Sequence, residues 1–210
     1  MIYKKSILFL IIIFTIGCNN ESKKSKATES YQIINIKEYL SPFNYLLDNP
    51  RVDVWIDSDE NTSYTILDVS NNNGLSIIEY NSMDSDYKQQ NVWKDAIEKN
   101  GLFPLNSYSR TCIKCDEFKF LQKIGDKTVQ IFYDQYDNKV FWTQEFRGIQ
   151  DDKAIFDSYF IINDGEFEFY QTYYFKKGVG LSYFESGDFS RELVDIIPLE
   201  EFKRNYLNNK

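Results

Sequence analysis

The hydrophobic pattern of the chain after residue 50 is mainly that of β-strands. Val52, Val54 and Ile56 alternate with polar or aromatic residues, and two further apolar segments at 64–69 and 75–80 flank the turn sequence NNNG. Alternation with a period of two is typical of strands, and an Asn-Gly pair is typical of a tight turn between them. This part of the chain therefore predicts three successive antiparallel strands.

From residue 117 onwards, turn signals recur at the spacing expected of a meander of antiparallel strands, about 8 to 12 residues apart. They are Gly125-Asp126, Asp137-Asn138, Asp151-Asp152, Asn163-Asp164-Gly165, Lys177-Gly178 and Ser186-Gly187. Asp164-Gly165 fits a two-residue hairpin turn. In the strand predicted at 166–175, Phe167, Phe169, Tyr173 and Phe175 share one face, and Gln171 interrupts that apolar face.

One internal segment, 85–100, has helical spacing instead. Four of its apolar residues share one helical face: Val92, Trp93, Ala96 and Ile97. Asn100-Gly101 then provides a left-handed stop. We expect this helix to cover one face of the sheet.

Shorter helices are predicted at both ends of the folded region. Within residues 31–50, Ser41 can cap a helix that starts at Pro42, and a terminal helix is predicted from Pro198 to Leu207. The whole pattern indicates a single α+β domain over residues 31–210. Its expected architecture is a predominantly antiparallel β-sheet meander with one or two packed helices.

The N-terminus differs from the rest of the chain. Lys4 and Lys5 precede an apolar run from Ile7 to Ile16, which Gly17 and Cys18 end. A helix needs about 20 apolar residues to cross a bilayer, so this run has instead the length of a signal-peptide core. Residues 19–30 contain no large apolar side chain and are expected to form a flexible tether.

This N-terminal arrangement resembles the signal peptide of bacterial lipoproteins. Gly17 and Cys18 match the motif of that class, whereas Thr15 and Ile16 depart from its usual leucine and small residue. The resemblance implies a signal peptide at 1–17, a lipid such as palmitate on Cys18, and a lipidated tether over 18–30. It also implies anchoring in a membrane of the cell envelope, outside the cytoplasm, which is the outer membrane if the cell is Gram-negative.

Charge and composition exclude several classes of function. The chain has a net charge of −8, and nucleic-acid-binding proteins instead show basic faces, so we expect no nucleic-acid partner. The absence of histidine excludes Ser-His-Asp and Cys-His catalysis as well as histidine-bound metals. No glycine-rich phosphate loop occurs, and we expect no cofactor.

Cys112 and Cys115 form a C-x-x-C pair. A structural disulfide is the favoured interpretation, ahead of free thiols, a redox pair and half of a zinc site. Zinc requires four ligands, usually Cys and His, and a thioredoxin-like redox site requires a βαβ setting that the pattern does not contain. Residues three apart in a straight strand point to opposite faces, so the disulfide requires a turn at Ile113-Lys114.

Asp57, Asp59, Asn61 and Asp68 are a weak candidate calcium loop. They occupy the first, third, fifth and twelfth positions of such a loop, but Thr62 replaces its glycine and the twelfth residue is not glutamate. An acidic hairpin loop is the favoured interpretation, and no metal site is assigned.

Aromatic side chains provide candidate binding anchors. Tyr159, Tyr170, Tyr174 and Tyr183 can lie on strand faces, where they bind a partner unless a second layer covers them.

The favoured hypothesis is a non-enzymatic envelope lipoprotein whose sheet binds a protein, glycan or lipid. Two alternatives stay open. One is a histidine-independent, carboxylate-based hydrolase, with two carboxylates about 5–10 Å apart in a cleft. The other is an inhibitor or immunity-type protein that binds its target by electrostatic complementarity.

Overall fold

The structure is a computed structural model that describes residues 32–40, 50–72, 74–165 and 167–207. Its strands are β1 Ile34–Asn35, β2 Arg51–Asp57, β3 Thr62–Asn72, β4 Leu75–Met83, β5 Gln89–Ile97, β6 Gly101–Leu105, β7 Thr111–Cys115, β8 Phe118–Lys119, β9 Leu121–Gln122, β10 Lys127–Tyr133, β11 Lys139–Gln150, β12 Lys153–Ile162, β13 Phe167–Lys176, β14 Gly180–Ser186 and β15 Phe189–Pro198. Its helical segments are α1 Lys37–Leu40, a 3₁₀ turn Asn163–Gly165, α2 Leu199–Phe202 and a π-helical turn Lys203–Leu207. The predicted β-rich character is confirmed, and the helices of the described ranges are all short.

Thirteen strands form one antiparallel sheet, in the order β7-β10-β11-β12-β13-β14-β15-β2-β3-β4-β5-β6-β8. From β10 to β15 each strand pairs with the next along the chain, which is the predicted meander. Strand β15 then pairs with β2, and the succession of hairpins continues to β6. Strands β1 and β9 form a separate two-stranded sheet.

The large sheet curls, so that strands distant in its order pack together. Phe118 in the edge strand β8 lies 5.2 Å from Phe156 in β12, measured between ring centroids. Bulges contribute to this curvature because they bend a strand and increase its twist. In β11 the register shifts between Phe146 and Gly148, and Gly148 has a φ of 119°, a conformation that favours glycine.

Hydrophobic clusters lie on both faces of the curled sheet. The inner core contains the buried residues Ile36, Tyr39, Leu40, Ile78, Leu102, Phe118, Phe120, Phe146, Ala154 and Phe156. The outer core contains Val52, Tyr64, Leu199 and Phe202, because α2 packs on the outside of β15 and β2 and its Phe202 contacts Tyr64 of β3. Along β2, Val52 and Val54 therefore point outward at the terminal helix. The alternate residues Arg51, Asp53 and Trp55 point inward.

The helix predicted over 85–100 is wrong, because Gln89–Ile97 is strand β5. Val92 and Ala96 are buried on one side of this strand, while Trp93 and Asp95 face a cavity on the other. A strand that is covered on both faces loses the simple alternation of apolar and polar residues. Its apolar residues then fall by chance at helix-like spacing. The residues that the helix pattern placed on one helical face lie instead on two opposite faces of a strand.

Three other predictions concern the two ends of the domain and the connection between β12 and β13. The terminal segment is helical, first as α2 and then as a π-helical turn. The two-residue turn at Asp164-Gly165 is wrong, because a 3₁₀ turn at Asn163–Gly165 follows β12. The helix predicted after Ser41-Pro42, the signal peptide and the tether lie outside the described residues. Within the described ranges, no helix has the length and apolar composition needed to span a membrane.

Candidate ligand-binding cavity

The curled sheet surrounds a cavity of about 450 Å³ that is open to solvent on one side. Its walls come from most strands of the sheet, and all three tryptophans of the chain line it: Trp55 in β2, Trp93 in β5 and Trp142 in β11. Small-molecule sites in proteins occupy about 300–1,000 Å³ and combine apolar walls with a few polar groups. The size and composition of this cavity therefore fit a small ligand.

One wall carries a buried ion pair. Arg51 and Asp53 are both 3% exposed, and Arg51 Nε lies 2.8 Å from Asp53 Oδ1. Arg51 also donates a hydrogen bond of 2.6 Å to the carbonyl of Val179, which ties β2 to the turn between β13 and β14. Burial raises the pKa of Asp53 to about 6, although the neighbouring Arg51 acts in the opposite direction.

A second ion pair lies on strand β5. Arg110 Nη2 is 2.8 Å from Asp95 Oδ1 and 2.5 Å from the carbonyl oxygen of Lys94. Burial raises the pKa of Asp95, and Arg110 counteracts this effect. Tyr80 lies within electrostatic range of both ion pairs, and burial raises the pKa of its hydroxyl. Tyr80 also stacks on Trp93, with 5.1 Å between the ring centroids. Aromatic rings and ion pairs are therefore neighbours on this wall of the cavity.

Arg191 in β15 is the third cation of the cavity. Its guanidinium stacks over Trp55 at 5.4 Å from the ring centroid and donates a hydrogen bond to the hydroxyl of Ser63. Burial lowers the pKa of Arg191, and the nearby carboxylate of Asp57 counteracts this shift. Stacking on the indole holds the plane of the guanidinium in a defined orientation.

Strands β11, β12 and β13 carry two parallel rows of side chains, from which Trp142, Gln144 and Gln171 line the cavity. The amide row consists of Gln144 and Gln171 with the buried Ser158 between them, and the three are directly paired across the strands. The aromatic row lies two residues further along each strand, on the same face, and consists of Trp142, Phe160 and Phe169. Its rings stack at 5.8 and 4.6 Å, and Phe169 is exposed enough to mark where the row reaches solvent. Planar amides beside flat rings offer hydrogen bonds and stacking to the same ligand.

Several buried polar atoms around the cavity have no hydrogen-bond partner among the described residues. They include Trp55 Nε1, Arg110 Nε, Gln130 Oε1, Trp142 Nε1 and Ser158 Oγ, and also Arg51 Nε and Asp53 Oδ1, which face each other in the ion pair. Buried polar groups in native proteins are almost always paired, with protein, water or ligand. Gln130 lines the cavity and is only 2% exposed, whereas Ser158 is fully buried behind the lining, so the surroundings of the cavity are polar as well as aromatic.

The structure joins Cys112 and Cys115 by a disulfide within strand β7. The expected turn at Ile113-Lys114 is wrong. Instead, Cys112 pairs with Phe132 and Lys114 with Ile131, so Ile113 is the extra residue of a β-bulge. The bulge adds one residue to the strand and so brings two cysteines three positions apart onto one side. The pair does not line the cavity.

The candidate calcium residues are not brought together as one loop. Asp57 Oδ1 accepts hydrogen bonds from the backbone N–H groups of Asp59 and Asn61, at 2.9 and 2.8 Å. These three residues form the turn between β2 and β3, whereas Asp68 lies within β3 opposite Glu79. At about 3.3 Å per strand residue, Asp68 is about 20 Å from the turn. No group of three or more metal-binding side chains occurs in the described ranges.

The four candidate tyrosines lie on the outer face of the meander, away from the cavity. Tyr159 pairs with Tyr170 and Tyr174 with Tyr183 across neighbouring strands. Some of their hydroxyl groups form hydrogen bonds within the protein; Tyr174, for example, donates to Glu185 at 2.7 Å. Cys18 lies outside the described residues.

Sequence reasoning missed most of the residues that line the cavity. A signal was nevertheless present, because Arg51, Asp53 and Trp55 occupy the alternate positions to the valines of β2. Gln171 broke an apolar face for the same reason, since it points into the cavity. Glutamines and tryptophans that recur at inward positions of successive strands are the pattern that identifies such a site.

No protein-family model and no curated protein matches this chain. Two solved structures show similarity to it. One is a provisionally assigned lipoprotein from Parabacteroides distasonis, with 11% identity and a TM-score of 0.43, and the match covers 70% of this chain and 95% of that one. The other is a provisionally assigned exported protein with a YmcC-like fold from Bacteroides fragilis, with 10% identity, a TM-score of 0.42, and coverage of 70% and 94%.

Proposed function

We propose that this chain is an envelope lipoprotein, anchored by lipid on Cys18, whose curled sheet binds a saccharide in its cavity. The anchor and the envelope location rest on the sequence of residues 1–18. The ligand class rests on one observation, which is that the cavity combines aromatic rings with buried polar atoms that lack partners among the described residues.

Saccharides present two kinds of surface, and the cavity suits both. The C–H faces of a sugar ring are apolar and pack on flat aromatic rings, which the three tryptophans supply. The hydroxyl groups both donate and accept hydrogen bonds, and the amides of Gln130, Gln144 and Gln171 provide matching groups. A sugar would therefore form hydrogen bonds with the polar side chains of the lining and cover the aromatic walls at the same time.

The other two ligand classes fit less well. A lipid chain would leave the polar groups of the cavity unpaired, at a cost of about 1–3 kcal/mol for each one. A stable protein partner buries about 800 Å² on each side of an interface. An open cavity of about 450 Å³ does not present a surface of that extent.

Tryptophan fluorescence tests the proposal directly, because all three tryptophans line the cavity. The full-length chain, purified in detergent micelles, is titrated with a panel of neutral and acidic bacterial oligosaccharides. The same panel is printed as an array to detect binding that leaves the emission unchanged. We expect saturable binding of at least one saccharide, and a chain that binds none of the panel in either assay would overturn the proposal.

Variants locate the bound saccharide. Gln144→Leu removes one amide of the cavity wall and is expected to weaken binding about tenfold, which corresponds to one hydrogen bond. The matched control is Tyr136→Ala, because Tyr136 is 75% exposed and does not line the cavity. Equal affinity of wild type and Gln144→Leu would place the ligand elsewhere.

A carboxylate-based hydrolase is the second candidate, because Asp53 and Asp95 line one cavity and burial raises the pKa of both. Each carboxylate is also held by an arginine, which favours a structural role. Incubation of the bound saccharide with the chain, followed by mass spectrometry, separates the two functions. Turnover that Asp53→Asn or Asp95→Asn abolishes would establish the hydrolase.

A further inference from the structure

The cavity has the opposite charge to the protein around it. The whole chain carries a net charge of −8. The charged side chains of the described residues that line the cavity are Arg51, Arg110, Arg191, Asp53 and Asp95. Three cations against two anions leave one net positive charge inside an acidic protein.

Two of the three arginines are already neutralised by the protein. Arg51 pairs with Asp53, and Arg110 pairs with Asp95 and with backbone carbonyl groups. These contacts link neighbouring strands, and they occupy the guanidinium N–H groups of Arg51 and Arg110 that face the two aspartates. The surplus charge therefore belongs to Arg191.

Arg191 differs in its contacts. In the described part of the chain it stacks on Trp55 and donates to the Ser63 hydroxyl, and no carboxylate there forms an ion pair with it. Asp57 is its partner in strand register, but the Asp57 carboxylate accepts hydrogen bonds from Asn61 and from the backbone of its own turn. Arg191 is thus a half-buried, oriented cation that lies near the Asp57 carboxylate without an ion pair to it in the described part of the chain, and it has donors left for a ligand.

We propose that the saccharide bound in the cavity is acidic, and that Arg191 binds its anionic group, a carboxylate or a phosphate. This inference rests on the proposed function above. A guanidinium recognises either group through two parallel hydrogen bonds, and its stacking on Trp55 fixes the direction of those bonds. The neutral amides of Gln144 and Gln171 then bind hydroxyl groups, so the two walls orient the sugar.

The test compares matched pairs of ligands on the full-length chain. Uronate-containing oligosaccharides are measured beside their carboxyl-reduced forms, and sugar phosphates beside the dephosphorylated sugars, by tryptophan fluorescence. We expect the acidic member of one pair to bind at least about tenfold more tightly, as a charge-assisted bidentate contact provides. The pair that shows the preference identifies the anionic group.

Arg191→Gln is expected to abolish this preference while the neutral member of the pair still binds. The matched control is Arg147→Gln, which removes the same charge from a half-exposed position on the outer face and leaves the preference intact. Arg191→Lys keeps the charge without the planar fork, and it is expected to reduce the preference about fivefold. This variant provides the test should Arg191→Gln not fold.

The outcomes separate the two proposals. Equal binding of acidic and neutral members by wild type overturns this inference and leaves the proposed function standing. A preference for acid that survives in Arg191→Gln overturns the role of Arg191. Absence of binding by every member of every pair overturns the proposed function itself.

Discussion

The Arg51–Asp53 pair offers the sharpest test of the energetics of the cavity. Replacement of Arg51 by methionine keeps most of the side-chain volume but leaves the carboxylate of Asp53 buried without its counter-ion. Asp53 is 3% exposed in the wild type, so its carboxylate depends on the guanidinium more than on water. The loss of one partner from a buried ion pair costs about 3–5 kcal/mol, whereas the pair itself is close to neutral against apolar residues.

The cost of Arg51→Met depends on pH in a defined direction. In the wild type, burial raises the pKa of Asp53 from 3.8 to about 6, so the folded state binds the proton more tightly than the unfolded state. The free energy of unfolding therefore falls by about 3 kcal/mol between pH 4 and pH 6 from this group, and it is flat above. Without Arg51 the pKa of Asp53 rises further, so the variant loses most stability at pH 8.

Urea unfolding, followed by tryptophan fluorescence at pH 8 and pH 5, measures these differences. We expect Arg51→Met to lose about 3–5 kcal/mol at pH 8. At pH 5 the protonated Asp53 needs no counter-ion, and we expect a loss of about 1 kcal/mol from the missing hydrogen bond to Val179. Lys94→Met is the control, because it breaks the half-exposed Lys94–Glu79 pair and costs less than about 1 kcal/mol.

Two results would refute this reasoning. One is an equal loss of stability by Arg51→Met at both pH values, which would mean that Asp53 does not titrate between them. The other is a double variant, Arg51→Met with Asp53→Leu, that is as unstable as Arg51→Met alone. Replacement of both charges removes the unpaired carboxylate, so the double variant is expected to recover most of the loss.

Three further predictions concern other parts of the chain. Trp142→Phe removes a buried N–H donor that has no partner among the described residues, but it keeps a ring against Phe160. Calorimetry is therefore expected to show a thermal midpoint within about 3 °C of wild type. Saccharide titration is expected to show an affinity about tenfold lower. Reduction of the Cys112–Cys115 disulfide opens a very short ring, and we expect the midpoint to fall by about 4–8 °C with an unchanged circular dichroism spectrum; loss of the β-sheet spectrum would contradict this. Cys18→Ala is expected to abolish fatty-acid labelling and to release the chain from membranes, and labelling that persists in the variant would exclude lipid at this position.

The sequence predicted the strands well where one face is apolar and turn residues separate them. The meander from β10 to β15 follows directly from turn signals such as Lys177-Gly178, because these residues adopt turn conformations that local chemistry determines. The failure at β5 has the opposite origin. Trp93 and Asp95 face the cavity while Val92 and Ala96 are buried on the other side, and only the closure of the whole sheet creates that double burial.

The cavity could be predicted only in part, for a similar reason. Arg51, Asp53 and Trp55 looked like the solvent face of a strand, because polar residues that alternate with valines are usually exposed. Curvature reverses this assignment: α2 covers the valine side, and the polar side turns inward. Bulges produce much of that curvature, and a bulge such as the one after Phe146 depends on pairing with a neighbouring strand that local sequence does not specify.

The bulge in β7 bears on how the protein behaves among other chains. Strands β7 and β8 are the two edges of the large sheet, and an exposed edge is a template on which a second polypeptide can add a strand. Strand β8 has only two residues, and β7 is distorted by the extra residue Ile113 and cross-linked within itself. Neither edge offers a long, regular row of free amide groups, so the large sheet resists intermolecular β-sheet growth and aggregation.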